Sequence, residues 1–267
     1  MDRGISQSTP AVTPAPLCQT AAPIEEPATY SGWYLRGDVA YTFESKTHGH
    51  YHAWDAAAYP DLQRFDYDEL RYKWGHDVSF GIGYQFNESW RGDLTAGHWS
   101  RKVKGSASSP WRCLGVNPAD VSCRFDDSSD VEAWEFMANG YYDFLRWGRF
   151  TPYVGAGLGV ARVSYGDLRN EATCLDAGGS PIGGCGYVAD HPGRDSNRFV
   201  WALMAGTSID INERLKADIG YRFARTEGGD AWGWDASDTS GGATGTQSYD
   251  HGFDVHQIRA GLRFTVW

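Results

Sequence analysis

The chain predicts an all-β fold: an eight-stranded antiparallel up-and-down transmembrane β-barrel with long extracellular loops and short periplasmic turns. Three observations carry this. Eight stretches alternate apolar and polar residues with period two, their connections alternate long and short, and charges recur on the face opposite the aromatics. The 267 residues are rich in Gly (33), Tyr (15) and Trp (12), and helix-favouring runs are scarce. No apolar run reaches the length of a membrane helix, which leaves a β-barrel open because its strands average to a polar composition. A formal charge of −10 argues against nucleic acid as a partner, since phosphates need a basic surface.

Residues 1–31 read as a disordered Pro/Ala-rich tail, placed in the periplasm, and 32–267 as the barrel. The opening MDRGISQSTPAVTPAP lacks the apolar centre of a secretory leader. The first strand sets Trp33, Leu35, Val39, Tyr41 and Phe43 on one face, and the second Val78, Phe80, Ile82, Tyr84 and Phe86. Trp90, Leu94 and Ala96 mark the third; Trp134, Phe136, Ala138, Tyr142 and Phe144 mark the fourth. The fifth sets Pro152, Val154, Ala156, Leu158 and Val160 against Tyr153 and three glycines. Phe199, Trp201, Leu203 and Ala205 form the sixth, and Leu215, Ala217, Ile219, Tyr221 and Phe223 the seventh. Ile258, Ala260, Leu262, Phe264 and Val266 form the last. Each run has about the ten residues that a tilted strand needs to cross a bilayer.

The connections around 87–89, 145–149 and 212–214 are tiny, whereas those around 44–77, 103–130, 164–197 and 225–252 are long. In a meander this puts every short turn at one end, the normal form of an outer-membrane barrel. Arg36 and Asp38 share a face, as do Arg91 and Asp93, and Lys216 and Asp218; Glu135, Arg222, Arg259 and Arg263 add to it. Aromatics near the strand ends match bilayer girdles, so these charges point into a lumen that eight strands leave just wide enough for side chains. There they must neutralise one another, which predicts a filled interior with no sizeable pore. The tripeptide Arg36-Gly37-Asp38, an adhesion signal when displayed on a loop, reads here as one rung of that ladder.

Five cysteines include two local pairs, Cys113 with Cys123 and Cys174 with Cys185, in Gly/Pro/Ser-rich stretches; Cys18 is left over. Such pairs fit disulfides in an oxidising compartment better than a zinc site.

The segments SGWYLRGDVAYTF, GIGYQFNESWRGDLT, NGYYDFLRWGRFTPYVGAGLGVA, LKADIGYRF and HQIRAGLRF resemble the opacity-type outer-membrane surface antigens of alphaproteobacteria. That group includes the small porin-like proteins of the rhizobia–brucella type. The likeness spans 32–267 in strands and turns and skips the long loops. It implies an eight-stranded barrel inserted by the outer-membrane assembly machinery, a signal peptide, and contact with outer-membrane lipid and lipopolysaccharide. Some members are attached to peptidoglycan through the N-terminus, which makes the tail a candidate tether; a leader remnant is the plainer alternative.

Other chemistry is weaker. His48, His50 and His52 could ligate zinc, copper or haem iron, although incidental loop histidines are commoner. Asp230, Asp235 and Asp238 could hold calcium against lipopolysaccharide phosphates, or simply solvate a loop tip. Trp232 and Trp234 suit glycan stacking or anchoring at the membrane boundary. His256 lies on the outward phase without a partner serine, so no enzyme is expected, and no cofactor. The reading is a structural, surface-exposed outer-membrane protein of a Gram-negative cell, contributing to envelope integrity and surface interactions. A small diffusion porin and a soluble secreted β-barrel with an apolar ligand are the alternatives.

Overall fold

The computed structural model describes residues 31–55, 59–109, 112–113 and 117–266. The tail, with Cys18, lies outside them apart from Ser31. In chain order the strands are β1 (Gly32–Thr42), β2 (Ser45–Thr47), β3 (Gly49–Asp55), β4 (Tyr59–Asp66), β5 (Glu69–Tyr72) and β6 (Gly75–Gln85). Then come β7 (Trp90–Ser109), β8 (Ser122–Asp143), β9 (Phe150–Tyr165), β10 (Leu168–Leu175) and β11 (Pro181–His191). Finally, β12 (Asp195–Asp210), β13 (Leu215–Thr226) and β14 (Gly229–Gly233) precede a short helix α1 (Ala236–Gly241), β15 (Thr246–Asp250) and β16 (Phe253–Thr265).

Eight of these close a ring of antiparallel ladders: β1–β6–β7–β8–β9–β12–β13–β16 and back to β1. Closure removes the unpaired edges that would otherwise invite aggregation. Local chemistry makes the turns. Asn87 accepts from the backbone N–H groups of Ser89 and Trp90, and Asn212 from those of Arg214 and Leu215, each at 2.9 Å. These are the side-chain-closed turns that Asn favours. In the third turn Gly148 takes φ +60°, which a side chain would resist.

Alternation runs along the wall with the apolar face outward: Phe80 is 71% exposed, Leu94 63% and Val39 60%. A belt of that extent is no surface for water. Glycines on the inner face make room for large neighbours. Gly155, Gly157 and Gly159 of β9 stand opposite Tyr141, Asn139 and Met137 of β8, and a Cβ on Gly157 would meet Asn139 Oδ1 at 2.2 Å.

The strands are longer than a bilayer requires. β7 has 20 residues and β8 has 22, about twice the span that crosses hydrocarbon. Their phase is kept on the way up, but the polarity of the two faces exchanges. Along β8, Trp134, Phe136 and Tyr142 face out while Asn139, Tyr141 and Asp143 are buried inside. Beyond Ala133 the outward residues are Glu132 and Asp130 and the buried ones Ala133 and Val131. The upper barrel is thus an ordinary apolar core of Tyr72, Trp99, Val103, Val163, Val200 and Phe253. The expectation of alternating runs about ten residues long is corrected here: once a strand leaves the bilayer, water takes over its outer face and apolar residues fill the inner one.

The long connections carry β-structure of their own. β10 and β11 extend the sheet from the raised half of β8, β2 and β5 extend it from β7, and β14, β15, β3 and β4 form a separate sheet. Disulfides Cys113–Cys123 and Cys174–Cys185 tie the second and third of these loops, and Cys123 stands opposite Cys174 across β8 and β10.

Candidate functional site

The most densely organised chemistry lies inside the barrel, on alternate positions of all eight strands. Arg36 of β1 is its centre. Its guanidinium donates to Asp38 through Nε (2.9 Å) and Nη2 (2.7 Å), and through Nη1 to Asp93 (2.7 Å) and the Tyr141 hydroxyl (2.8 Å). Asn139 donates to the other oxygen of Asp93 at 2.8 Å, and Arg259 approaches Asp38 at 3.5 Å. Nearer the short turns, Arg91 pairs with Asp143 at 3.0 Å and lies over the rings of Tyr141 and Tyr153. Arg263 meets Asp218 at 3.3 Å and Ser208 at 2.8 Å. Nearer the long loops, Arg222 donates to Glu135 at 2.6 Å and to Gln257 at 2.9 Å. Arg101 reaches Asp77 at 3.1 Å.

Six guanidinium groups (36, 91, 101, 222, 259, 263) thus face six carboxylates (38, 77, 93, 135, 143, 218), so the lumen is charge-balanced. In low dielectric that balance decides stability, because an unpaired buried ion costs several kcal/mol, roughly, after relaxation. Two cavities within the network are about 30 and 10 Å³, room for single waters and too small for a hydrated ion, and a wider mouth of about 500 Å³ opens at the short-turn end beside Tyr34, Asp143 and Arg263.

The pairing scheme differs from two-apart partners on one strand. Of the three two-apart pairs singled out for the lumen, Arg36 and Asp38 alone bond each other. Arg91 bonds Asp143 instead of Asp93, and Asp218 bonds Arg263 instead of Lys216. Lys216 sits half-exposed at the short-turn mouth on Asp210, 2.8 Å away, outside the buried network. Both partners stand diagonally across a ladder: Arg91 faces Tyr141, two positions from Asp143, and Arg263 faces Lys216, two positions from Asp218, a separation of about 7–8 Å that a long side chain still spans. Asp143, Asp77, Arg101, Tyr34 and Tyr141 were missed as members, though each shares the inward phase of a neighbour already singled out.

Above the charges, Trp232 roofs the apolar core. It is fully buried, its indole N–H donates to the Gly166 carbonyl at 3.1 Å, and its ring packs on Tyr165 at 4.9 Å. Trp234 is also buried. The expected glycan-stacking or membrane-anchoring role for this pair is therefore corrected: Trp232 packs into the barrel core, and Trp234 is buried within its own loop, donating to the Thr244 carbonyl at 3.0 Å. Beside them Arg198 and Asp250 form an ion pair of 2.6 Å without solvent access.

The histidine trio is not assembled. His48 is exposed, whereas His50 Nδ1 lies 2.9 Å from Nε2 of His251, a partner 201 positions away, and His52 Nδ1 contacts the Gln247 carbonyl. Partial burial, Arg64 and His251 hold the His50 imidazole below the usual range. Asp235 caps α1 by accepting from the Asp238 N–H, and the Asp230 main-chain carbonyl accepts from Arg198. Among the described residues one group, Cys113, Asp120 and Cys174, clusters at metal-ligand distances, and both its sulfurs are in disulfides. His256 faces outward and contacts the Tyr221 hydroxyl at 2.5 Å.

A family model described as outer membrane protein beta-barrel domain matches residues 14–264. The chain belongs to that family. An uncharacterized protein of Brucella suis is 39% identical over 256 residues, which covers 91% of this chain and 87% of that one. A candidate adhesin of Rickettsia bellii is 26% identical, over 70% of this chain and 73% of its own. Among solved structures, Neisserial surface protein A aligns at 14% identity with a TM-score of 0.46, covering 88% of this chain and 97% of that one. This outer-membrane barrel therefore sits in the outer membrane of a Gram-negative cell, with its short turns periplasmic and its long loops extracellular. The soluble, apolar-ligand alternative is set aside, because the apolar belt faces lipid.

Proposed function

We propose that the protein is a non-conducting barrel that holds a rigid extracellular β-structure for surface contacts and contributes to envelope integrity. The single observation that carries this reading is Arg36, which spans the lumen and ties β1 to Asp93 of β7 and Tyr141 of β8. With five further guanidinium groups and their carboxylates around it, the interior is a plug, which disfavours the porin alternative. Arg36 and Asp38 are each 7% exposed, so their tripeptide serves the plug and is not displayed. Lipid and lipopolysaccharide cover the belt, and adhesive contacts belong to the loops, a role in line with the adhesin name of the Rickettsia relative. Catalysis has no part in this reading.

Planar-bilayer recording on the refolded chain tests it. Brief or absent current steps are expected; sustained open levels would show that the charges line a conduit.

A further inference from the structure

Where the first, third and fourth loops lean over the raised half of β8, they enclose a cleft of about 730 Å³. That lies within the range of small-molecule sites, ~300–1,000 Å³. One wall is aromatic: Tyr51 packs on Tyr67 at 5.3 Å and on Phe125 at 6.5 Å, and Tyr187 stands among the lining residues. The charged lining is of one sign. Asp127, Asp190, Asp235 and Asp238 border the cleft, and no Lys or Arg does.

Asp127 is the decisive group. It is 4% exposed; one oxygen accepts from the Asn170 amide at 2.7 Å, and the other, Oδ2, has no hydrogen-bond partner. It also borders a neighbouring cleft with Arg71 and Lys104, but the Arg71 guanidinium is bonded to Glu44 and Glu69, and Lys104 is on the exposed face of β7. A buried carboxylate with an idle oxygen is costly unless something charged or hydrogen-bonding completes it. Every other strongly buried carboxylate inside the barrel described above has its Arg.

We propose that this cleft binds a small organic cation, a primary ammonium on an apolar body, with the head on Asp127 and the body against Tyr51, Tyr67 and Phe125. The cation supplies the missing partner, and tyrosine faces attract it further. The proposal deepens the surface-contact reading and rests on the loops being extracellular.

The test is calorimetric titration of phenethylammonium chloride into the full refolded chain in a neutral maltoside, at pH 7.5, against empty micelles. Saturable one-to-one binding is expected, with phenethyl alcohol and phenylacetate giving none. Asp127→Asn should weaken binding at least about tenfold, while Asp126→Asn, on the outer face, leaves it unchanged. A heat-modifiable gel shift shows that each variant is folded, and Tyr51→Ala supplies a second loss if Asp127→Asn fails to fold. No binding above the micelle blank, equal affinity in both folded variants and wild type, or equal binding of the alcohol would overturn the proposal. Protease accessibility of the loops on intact cells is read separately. Accessible loops without binding sink this proposal alone, and inaccessible loops with binding sink the surface-contact reading alone.

Discussion

Arg36 shows how one residue can hold a lumen together. Its guanidinium contacts two carboxylates and a hydroxyl from three strands, so truncating it strands Asp38 and Asp93 in low dielectric. Arg36→Leu should cost about 3–5 kcal/mol, the scale for breaking a buried pair, read as a lower urea midpoint of the folded, heat-modifiable form. Replacing Arg36, Asp38 and Asp93 together by apolar residues should recover much of that loss. At the extracellular end, Asp127 gives the opposite sign. Burial pushes its carboxyl up to about 6, with Asn170 opposing and Asp126 adding. The rings of Tyr51 and Tyr67 pack on the same side, and neither carries charge near neutrality. Because the folded-state value lies above the ordinary carboxylate range, the loop structure is most stable with Asp127 protonated. It loses stability as pH rises from about 4 to 6. His191, which burial holds below the usual imidazole range, acts in the opposite sense, so the test is the difference between proteins: the ratio of proteolysis of the 168–191 hairpin at pH 7 to that at pH 5 should be lower in Asp127→Asn than in the wild type.

At the scale of the strand, β8 and β9 work as a pair because one is large where the other has no side chain. Gly157→Leu drives a branched chain into Asn139, which itself holds Asp93. Overpacking of this kind costs about 1–3 kcal/mol, and the expected outcome is a lower folded fraction in urea. The outer face of β9 gives the contrast: Leu158→Val, on lipid, should change little. The exchange of polarity along β8 was written in the sequence, since Glu132 and Asp130 continue the outward series of Trp134 and Phe136. A search for apolar alternation stops at Trp134 and misses it, because above the bilayer the same period carries the opposite polarity.

For the whole molecule, the plug and the lid are separate. The network built on Arg36 lies on the short-turn side of the apolar core, Arg101 with Asp77 is set among Trp99, Val103 and Val131 of that core, and Trp232 caps it from the long-loop side. Deleting 229–250 and bridging the ends should leave a heat-modifiable barrel that still conducts no current, since the charge-filled storey is untouched. It would also remove the Arg198–Asp250 pair, leaving a buried guanidinium, so a lower thermal midpoint is the expected accompaniment.

The barrel wall was legible residue by residue, because alternation, turn chemistry and loop asymmetry are local and need no partner. Eight strands, their order and the outward phase of Phe80 or Leu158 follow from them, and so does the inward phase of Arg36, Asp93 and Arg263. Who pairs with whom was not legible: Arg91 finds Asp143 and His50 finds His251 because strand register and loop docking set those meetings, over 52 and 201 positions. Trp232 reads as a surface aromatic until the fourth loop folds back over the lumen. The sequence by itself determined the period and hence the wall. The tertiary structure decided the contacts across it, since period is a property of one strand and neutralisation a property of two.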